Sequence, residues 1–452
     1  MASTAEAIAA PKGRLLKVLG VAFGLAVIVG NTIGIGILRM PGEIAGRLPD
    51  PVWFFGIWIA GGIYALLGAL TLAELGAMLP RSGGQYVFAR QALGDYAGFV
   101  IGWSDWVSSC GSMAVVTVSI GEYTGVLFPA LAPYAVEIAI LVTVAFTVIH
   151  GIGIRTGDIA QQITSLVKVL VLVGLAVACL AAAAPARGEV TVATHSLPTF
   201  AAVIVSLQGV IYTYDGWNGV LYFSGEVQDP GRQIPRAMAG GVILVIAIYL
   251  LLNLAYFHIL PLDRMAGQTL VAATAARSVF GPSGETLVRV VAIVSLFSAA
   301  SAILLLTSRI IHAMSEDGLF WSRVRQVTRA GSPVPALVFS ALLTAAMLVS
   351  GTFDQVLAVT AFFFVLNYLL SFVSVLVLRW REPSTPRPYR AWGYPVVTWL
   401  LLLGSLAFLG GNVLGDWADA RWALALLVVS YPIFRLRARP RSSDIESRSS
   451  MP

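Results

Sequence analysis

Charge is the scarcest property of this chain: Asp, Glu, Lys and Arg make up 12% of its 452 residues, against roughly a quarter in a soluble domain. With 58% of residues hydrophobic, there is too little polar surface to coat one globule, which excludes water as the main solvent. Cysteine is almost missing. Cys110 and Cys179 both fall in apolar stretches with no ligand spacing, which excludes a disulfide framework or a zinc site and leaves core packing. The four histidines are scattered with no pair at helical spacing, so no metal site is expected. No Gly-Lys-Ser phosphate loop occurs, which removes ATP-driven pumping. No nucleophile and base converge in the sequence, so neither an enzyme nor a cofactor is expected. Lysine is confined to Lys12, Lys17 and Lys168, and the formal charge of +6 rests on arginines spread through short polar segments and the C-terminal stretch. That distribution speaks for membrane topology and against nucleic acid as a partner.

What the chain does have is long apolar runs. A helix crosses a bilayer with about 20 apolar residues, and such stretches recur, so the fold class is an all-α integral membrane protein. About twelve spans are expected, at roughly 20–46, 52–79, 96–128, 135–152, 158–184, 200–226, 238–260, 284–314, 335–352, 355–378, 395–412 and 420–436. The first run is longer than a signal-peptide core and lacks a small-residue cleavage site, so it stays as a membrane helix. Residues 1–19 read as a cytoplasmic N-terminal segment, 20–436 as a single transmembrane domain, and 437–452, rich in Arg, Ser and Pro, as a disordered tail. Most Lys and Arg lie in the segments that share a side with the N-terminus. Positive loop residues are retained in the cytoplasm, which puts both termini there in a cell membrane. Three polar segments exceed simple turns: Pro80 to Asp95, Pro261 to Ser283 and Ser315 to Pro335. The middle one is external and is expected to fold into short helices over the outer mouth.

Two spans are interrupted. In the first, Gly30-Asn31-Thr32-Ile33-Gly34-Ile35-Gly36-Ile37 places three glycines in a short mid-span stretch. Each lowers helix propensity by roughly 1 kcal/mol relative to alanine and bares the backbone. Close helix packing is the competing use of such glycines. In the sixth span, Tyr212-Thr213-Tyr214-Asp215-Gly216-Trp217-Asn218-Gly219 brings a carboxylate, an amide and two glycines to mid-depth. A charge there costs at least about 2.5–3.5 kcal/mol, so Asp215 should face a cavity or a partner. Paired breaks five helices apart mark inverted-repeat carriers with a midplane site. Free amides at a half-helix N-terminus suit a carboxylate and unwound carbonyls suit an ammonium, which together describe an amino acid.

The chain resembles the amino acid-polyamine-organocation superfamily, in the branch of L-amino-acid transporters and light chains. The resemblance is carried by Gly34-Ile35-Gly36 and Ala73-Glu74-Leu75, then by Pro80-Arg81-Ser82-Gly83-Gly84-Gln85-Tyr86. It continues through Tyr214-Asp215-Gly216-Trp217-Asn218 with Glu226, Pro230, Ile234, Pro235 and Arg236. Two later segments match as well: Ser315-Glu316-Asp317-Gly318 with Pro333-Val334-Pro335-Ala336, and Arg387-Pro388-Tyr389-Arg390 with Tyr394-Pro395. It implies the LeuT-type fold of five plus five inverted helices, helices 1 and 6 broken. Repeat one would span about 20–184, repeat two about 200–378, and two extra helices about 395–436.

The resemblance also implies a site. Backbone amides of Thr32, Ile33, Gly34, Ile35, Gly36 and Ile37 would hold the substrate carboxylate, and carbonyls around Tyr212, Thr213 and Asp215 the amino group. Asn218 would line the pocket, with Tyr212 and Trp217 as gating aromatics. Light chains often carry Gly-Ser-Gly where this chain has Ile35 in the middle, which removes a hydroxyl and leaves the amide. Lys168 in span five would stand where sodium-coupled relatives bind their ion, a coupling role in a sodium-independent carrier. A cation paired with backbone carbonyls is its structural alternative. Glu74, Asp105 and Glu122 read as pairs within helix interfaces or near the inner and outer faces, and Glu226, at the inner end of span six beside Arg232 and Arg236, as a cytoplasmic gate or helix-end contact. The expected function is secondary active transport of neutral L-amino acids, with cationic amino acid or polyamine antiport and a non-transporting sensor as alternatives. Proton symport and exchange both remain open. The segment Leu127 to Tyr134 lacks the cysteine that light chains use toward an ancillary subunit, so no disulfide-linked partner is expected.

Overall fold

The computed structural model describes residues 20–81, 83–152, 157–183, 197–328 and 332–436, with side chains left out at 157–165. The expected N-terminal segment 1–19 and tail 437–452 lie outside the described residues. Among the described residues the secondary structure is entirely helical, as an apolar solvent demands: backbone groups that cannot reach water must be bonded within the segment. In order, the helices are α1 (Val21–Thr32), α2 (Ile35–Arg47), α3 (Pro51–Met78), α4 (Gln85–Leu93), α5 (Asp95–Leu127), α6 (Ala135–Ile152), α7 (Gly157–Ala181) and α8 (Phe200–Tyr214). They continue as α9 (Pro230–Ile259), α10 (Leu262–Met265), α11 (Val271–Glu316), α12 (Val334–Ser350), α13 (Phe353–Arg381), α14 (Val396–Gly415) and α15 (Trp417–Leu436). Short 3₁₀ turns cover Pro129–Tyr134, Gly219–Glu226 and Ser322–Arg325.

Among the described residues seven helices are long and apolar enough to cross a bilayer, and the pair α1 and α2, bent by 44°, makes an eighth. The chain is a multi-pass membrane protein. Every expected span coincides with a helix or a helix pair, but some edges moved. Span seven starts at Pro230, not near 238, because Pro230 fits the first helical turn and Asp229 adopts φ 39° just before it. The segment Pro80 to Asp95 is more than a polar connection: α4 lies in it with Gln85, Tyr86, Val87, Phe88 and Ala89 buried. The segment Pro261 to Ser283 does fold into short helical pieces. These are α10 and the first turns of α11, which kinks at Gly281 (φ 71°, ψ −165°) ahead of Pro282.

Local chemistry explains several starts. Asp50 accepts from the amides of Val52 (2.7 Å) and Trp53 (3.3 Å) ahead of Pro51. Thr199 caps α8 through the Ala202 amide (3.2 Å). Thr352 and Gln355 form a reciprocal capping box on α13. Within spans, Thr71, Thr117, Ser119 and Thr143 return their hydroxyl protons to the carbonyl four residues back, which satisfies them without a partner helix.

Two groups of helices emerge from the packing. α1, α3, α8 and α9 form one, and α5, α6, α11 and α12 the other, with α7 against α9 and α11 and α13 against α5 and α8. α3 bares Gly61, Gly68 and Gly76 toward span six, where an added Cβ would strike Val210, Trp217 and Leu221, so small residues let these backbones close up.

Buried charges gather at the two ends of the bundle. At one end Glu74, 1% exposed, accepts from Arg379 Nε (2.9 Å) and the Ala391 amide (2.7 Å) and pairs with Arg387 (3.2 Å). Arg387 also donates to the carbonyls of Leu378 (2.9 Å) and Glu382 (3.0 Å) at the end of α13, so the chain after α13 is strapped to α3. At the other end Arg39 pairs with Glu122 and lies 3.5 Å above the Phe353 ring, while Arg47 pairs with Glu43 (3.0 Å) and Asp354 (3.5 Å). Glu74 and Glu122 are thus interface pairs, as expected. Next to Glu226, Arg232 pairs with Asp229 (3.8 Å), which lies one helical turn before it at the start of α9.

Removing Glu74 leaves two guanidiniums without their carboxylate. Glu74→Ala is expected to cost about 3–5 kcal/mol, read as a fall in the thermal midpoint of the detergent-solubilised protein; an unchanged midpoint would mean that the strap contributes nothing to the fold.

Candidate functional site

The two interrupted spans meet. α1 ends at Thr32, Ile33 and Gly34 are non-helical, and α2 begins at Ile35 with no side-chain cap. Ile33 still donates to the Val29 carbonyl (3.0 Å). The amides of Gly34, Ile35, Gly36 and Ile37 have no acceptor among the described residues, the four orphans that any helix start leaves. α8 ends at Tyr214, Gly216 takes φ 107°, and the chain resumes as the 3₁₀ turn Gly219–Glu226.

Glycine lets the breaks touch. A Cβ on Gly36 would lie 2.5 Å from Thr213 Oγ1 and 2.7 Å from its Cα, and one on Gly216 would lie 2.9 Å from Thr32 Oγ1 and 3.0 Å from its amide nitrogen. Real Cβ atoms do not come so close, and Gly216 also needs its left-handed conformation. Gly34 differs: a Cβ there would meet nothing within 4 Å, so open space adjoins the break where the free amides begin.

Thr32, Gly36, Thr213 and Gly216 are therefore brought together at one point. Ile33, Ile35 and Ile37 are buried around it. Tyr212 is half-buried and stacks on Phe364 of α13 (6.5 Å between centroids). The Asp215 carboxylate accepts a hydrogen bond from the Tyr368 hydroxyl of α13, so it has the partner that its depth requires. Trp217, 2% exposed, sits against Tyr368 (4.9 Å) and Gly68. Asn218 is buried, and its carbonyl accepts from the Leu221 amide (2.9 Å) in the first 3₁₀ turn. Lys168, 5% exposed, reaches from α7 to α1 and donates to the Gly30 carbonyl at 3.4 Å. A cation at a helix C-terminus offsets the partial negative charge of that end.

Not every expected acceptor is open. The Tyr249 hydroxyl of α9 lies 2.9 Å from the Thr213 carbonyl and 2.6 Å from that of Thr32, so the Thr213 oxygen is shared and not bare. The carbonyls of Tyr212, Tyr214 and Asp215 have no donor among the described residues. Tyr249 and Tyr368 escaped the sequence reading because a lone tyrosine in an apolar run looks like packing. The signal they do carry is a phenol proton in hydrocarbon, which has to find an acceptor. Asp105 was read as an interface pair, and it accepts from Tyr222 (2.6 Å), tying α5 to the second half of span six.

Above α2 and α8, at the Arg47 end, lies a cavity of about 260 Å³. It is lined by Met40, Gln208 and Gly209 and by the carboxylates of Glu43, Asp354, Asp416 and Asp419. Gln208 donates to Asp416 (2.9 Å) on its wall and to Asn412 (2.6 Å) of α14.

Free amides on one half-helix and free carbonyls on another, joined at glycine contacts inside a multi-span bundle, define a membrane carrier for a small zwitterion. The sequence matches the family model described as amino acid permease over residues 16–421, and the chain belongs to that family. It is an amino acid transporter with the LeuT-type fold, not an enzyme. It is similar to the serine/threonine exchanger SteT of Bacillus subtilis (strain 168), with 28% identity over 434 residues covering 93% of this chain and 96% of that protein. It is also similar to the b(0,+)-type amino acid transporter 1 of Homo sapiens, 27% identical over 402 residues (86% and 80% of the two chains). A third relative is the large neutral amino acids transporter small subunit 2 of Mus musculus, 26% identical over 434 residues (93% and 81%).

The two glycines of α1 and α2 should respond differently. Gly36→Ala drives a methyl into Thr213 backbone and is expected to cost about 1–3 kcal/mol and to abolish uptake in reconstituted vesicles. Gly34→Ala should keep stability within about 0.5 kcal/mol; equal damage from both would contradict the geometry of the break.

Proposed function

We propose that the protein is a sodium-independent exchanger of neutral L-amino acids in a cell membrane, working by alternating access with both termini in the cytoplasm. The observation that carries the neutral preference is the Tyr368 hydroxyl on Asp215. A carboxylate already bonded to α13 ties span six to its neighbour, which lessens its call on a cationic side chain. The amides of Gly34 to Ile37 bind the substrate carboxylate, and the carbonyls of Tyr212, Thr213 and Asp215 its ammonium. Asn218 lines the pocket, and Tyr212 and Trp217 gate it.

Lys168 supports independence from sodium. Its ammonium rests on the last turn of α1, and a fixed positive charge beside that helix end removes the need for a bound metal cation there. The exchange mode is supported by likeness to a serine/threonine exchanger across almost the full length of both chains. Repeat one comprises α1 to α7 and repeat two α8 to α13, with α14 and α15 appended. The group α1, α3, α8 and α9 rocks against α5, α6, α11 and α12. The end holding Glu74, Arg379 and Arg387 faces the cytoplasm, and the carboxylate-lined cavity is the outer vestibule. The carrier acts without a disulfide-linked subunit: both cysteines are buried.

In proteoliposomes, labelled serine or leucine should enter only when amino acid is present inside, and replacing sodium by choline should change nothing. Lys168→Ala should abolish this flux, whereas Asp215→Asn should lower arginine flux more than serine flux. Sodium-dependent uptake, uptake into empty vesicles, or a preference for arginine or putrescine over serine and leucine would each overturn part of the assignment.

A further inference from the structure

The second half of span six packs with one group of helices and is hydrogen-bonded to the other. The turn Gly219–Glu226 lies on α1, α3 and α9. Phe223 sets its ring against Phe23 of α1 (5.6 Å), and glycines draw the two segments together: a Cβ on Gly24 would lie 3.3 Å from Val220, and one on Gly219 3.1 Å from Val27. Tyr222 turns the other way. Its hydroxyl donates to the Asp105 carboxylate of α5 at 2.6 Å, and its ring lies so close to Gly84 that an added Cβ there would be 2.6 Å from Cε1. Asp105 stands about 15 Å along α5 from the start of that helix at Asp95. Arg381 of α13 donates to the Ala92 carbonyl just ahead of that start (3.0 Å), so Asp105 is on the side of the breaks that holds Glu74, Arg379 and Arg387.

Asp105 is 8% exposed and forms no salt bridge among the described residues. A carboxylate held in this way is costly to bury, and the phenol proton offsets that cost only while the two helix groups stay together. Resting on the reading of the chain as an alternating-access carrier, we propose that Tyr222 and Asp105 form its cytoplasmic latch. Their hydrogen bond holds the second half of span six against α5 while the cytoplasmic end is shut. It parts when the group α1, α3, α8 and α9 rocks away, and water then takes the place of the phenol on Asp105. Neither state is a trap, because the carboxylate exchanges one donor for another. The substrate contacts are not involved: Tyr222 and Asp105 lie beyond the break, away from the amides of α2. Two conservative changes separate this device from plain packing. Tyr222→Phe keeps the ring and leaves the carboxylate dry without a donor, so the shut state loses its tie. Asp105→Asn keeps an oxygen that accepts from the phenol and removes the charge, so the shut state survives.

The test is hydrogen–deuterium exchange, read by mass spectrometry, of the parent chain, Tyr222→Phe and Asp105→Asn in lipid nanodiscs. In Tyr222→Phe the amides of 219–226 are expected to exchange at least about ten-fold faster, the scale of one hydrogen bond to a charged group. Those of α2 should keep the parent rate, since its own tie to α5, from Arg39 to Glu122, is untouched. Asp105→Asn should stay within about two-fold of the parent in both segments. Parent-like exchange of 219–226 in Tyr222→Phe overturns the proposal. So does an equal acceleration of 219–226 and α2, which marks general loosening, and so does an Asp105→Asn that opens as far as Tyr222→Phe. Counterflow of labelled amino acids in proteoliposomes of the parent comes first: a parent that moves none refutes the carrier reading itself, before any variant is compared. Should Tyr222→Phe fail to accumulate, Asp105→Ala removes the acceptor without adding apolar bulk. It should free 219–226 in the same way, and unchanged exchange there overturns the latch.

Discussion

The whole architecture turns on one constraint: in hydrocarbon, a peptide group that loses its helical partner has nothing else to bond unless the protein provides it. Two spans here break that rule on purpose, at Ile33-Gly34 and at Asp215 to Asn218. The surrounding helices then supply partners for some of the released groups and leave others open. Lys168 covers Gly30, Tyr249 covers Thr32 and Thr213, and Tyr368 covers the Asp215 carboxylate. Among the described residues, the amides at the start of α2 and the carbonyls of Tyr212 and Asp215 are left bare. This division between covered and uncovered groups sets the polarity of the site. Donors lie on the span-one side and acceptors on the span-six side, which is the polarity of an amino acid's carboxylate and ammonium.

Formal charge is handled differently. The ion pairs stay near the two ends of the bundle, and tie helices that are distant in sequence: buried Glu74 of α3 to Arg379 and Arg387 after a long separation, buried Arg39 of α2 to Glu122, and the more exposed Arg47 to Asp354. Ion pairs that span the bundle in this way fix relative helix positions more than they add stability, because desolvation offsets most of their Coulomb gain. Near the site, by contrast, hydrogen bonds from tyrosines take over. A phenol brings a proton without a net charge, so three tyrosines can partner carbonyls and carboxylates at mid-depth without the cost of a second buried ion.

How far all this was readable in the sequence depends on the kind of signal. Gly34, Gly36, Asp215 and Gly216 announce their breaks because glycine and a carboxylate are costly in a membrane helix, and the cost is a property of the residue itself. The kink at Gly281 and the helix α4 were harder to read: a kink next to Pro282 and a short amphipathic helix look like ordinary polar connection until packing buries one face. Tyr249 and Tyr368 were not legible at all. Their role depends on which atom of another helix the hydroxyl meets, 217 residues away in one case and 153 in the other, and residue type carries no record of that.

The glycine contacts give the broken spans a mechanical consequence. Because Gly36 lies against Thr213 and Gly216 against Thr32, each break packs backbone to backbone on the other, with no flexible side chain between them to absorb displacement. Close-packed interiors move between discrete arrangements and do not stretch. A shift of α2 must therefore carry the end of α8 with it, and the Tyr249 hydroxyl adds α9 to the same unit. The free amides at the start of α2 and the carbonyls at the end of α8 then stay in register while the bundle around them rearranges. In a carrier, that rigidity lets one set of contacts face first one side of the membrane and then the other without being dismantled between.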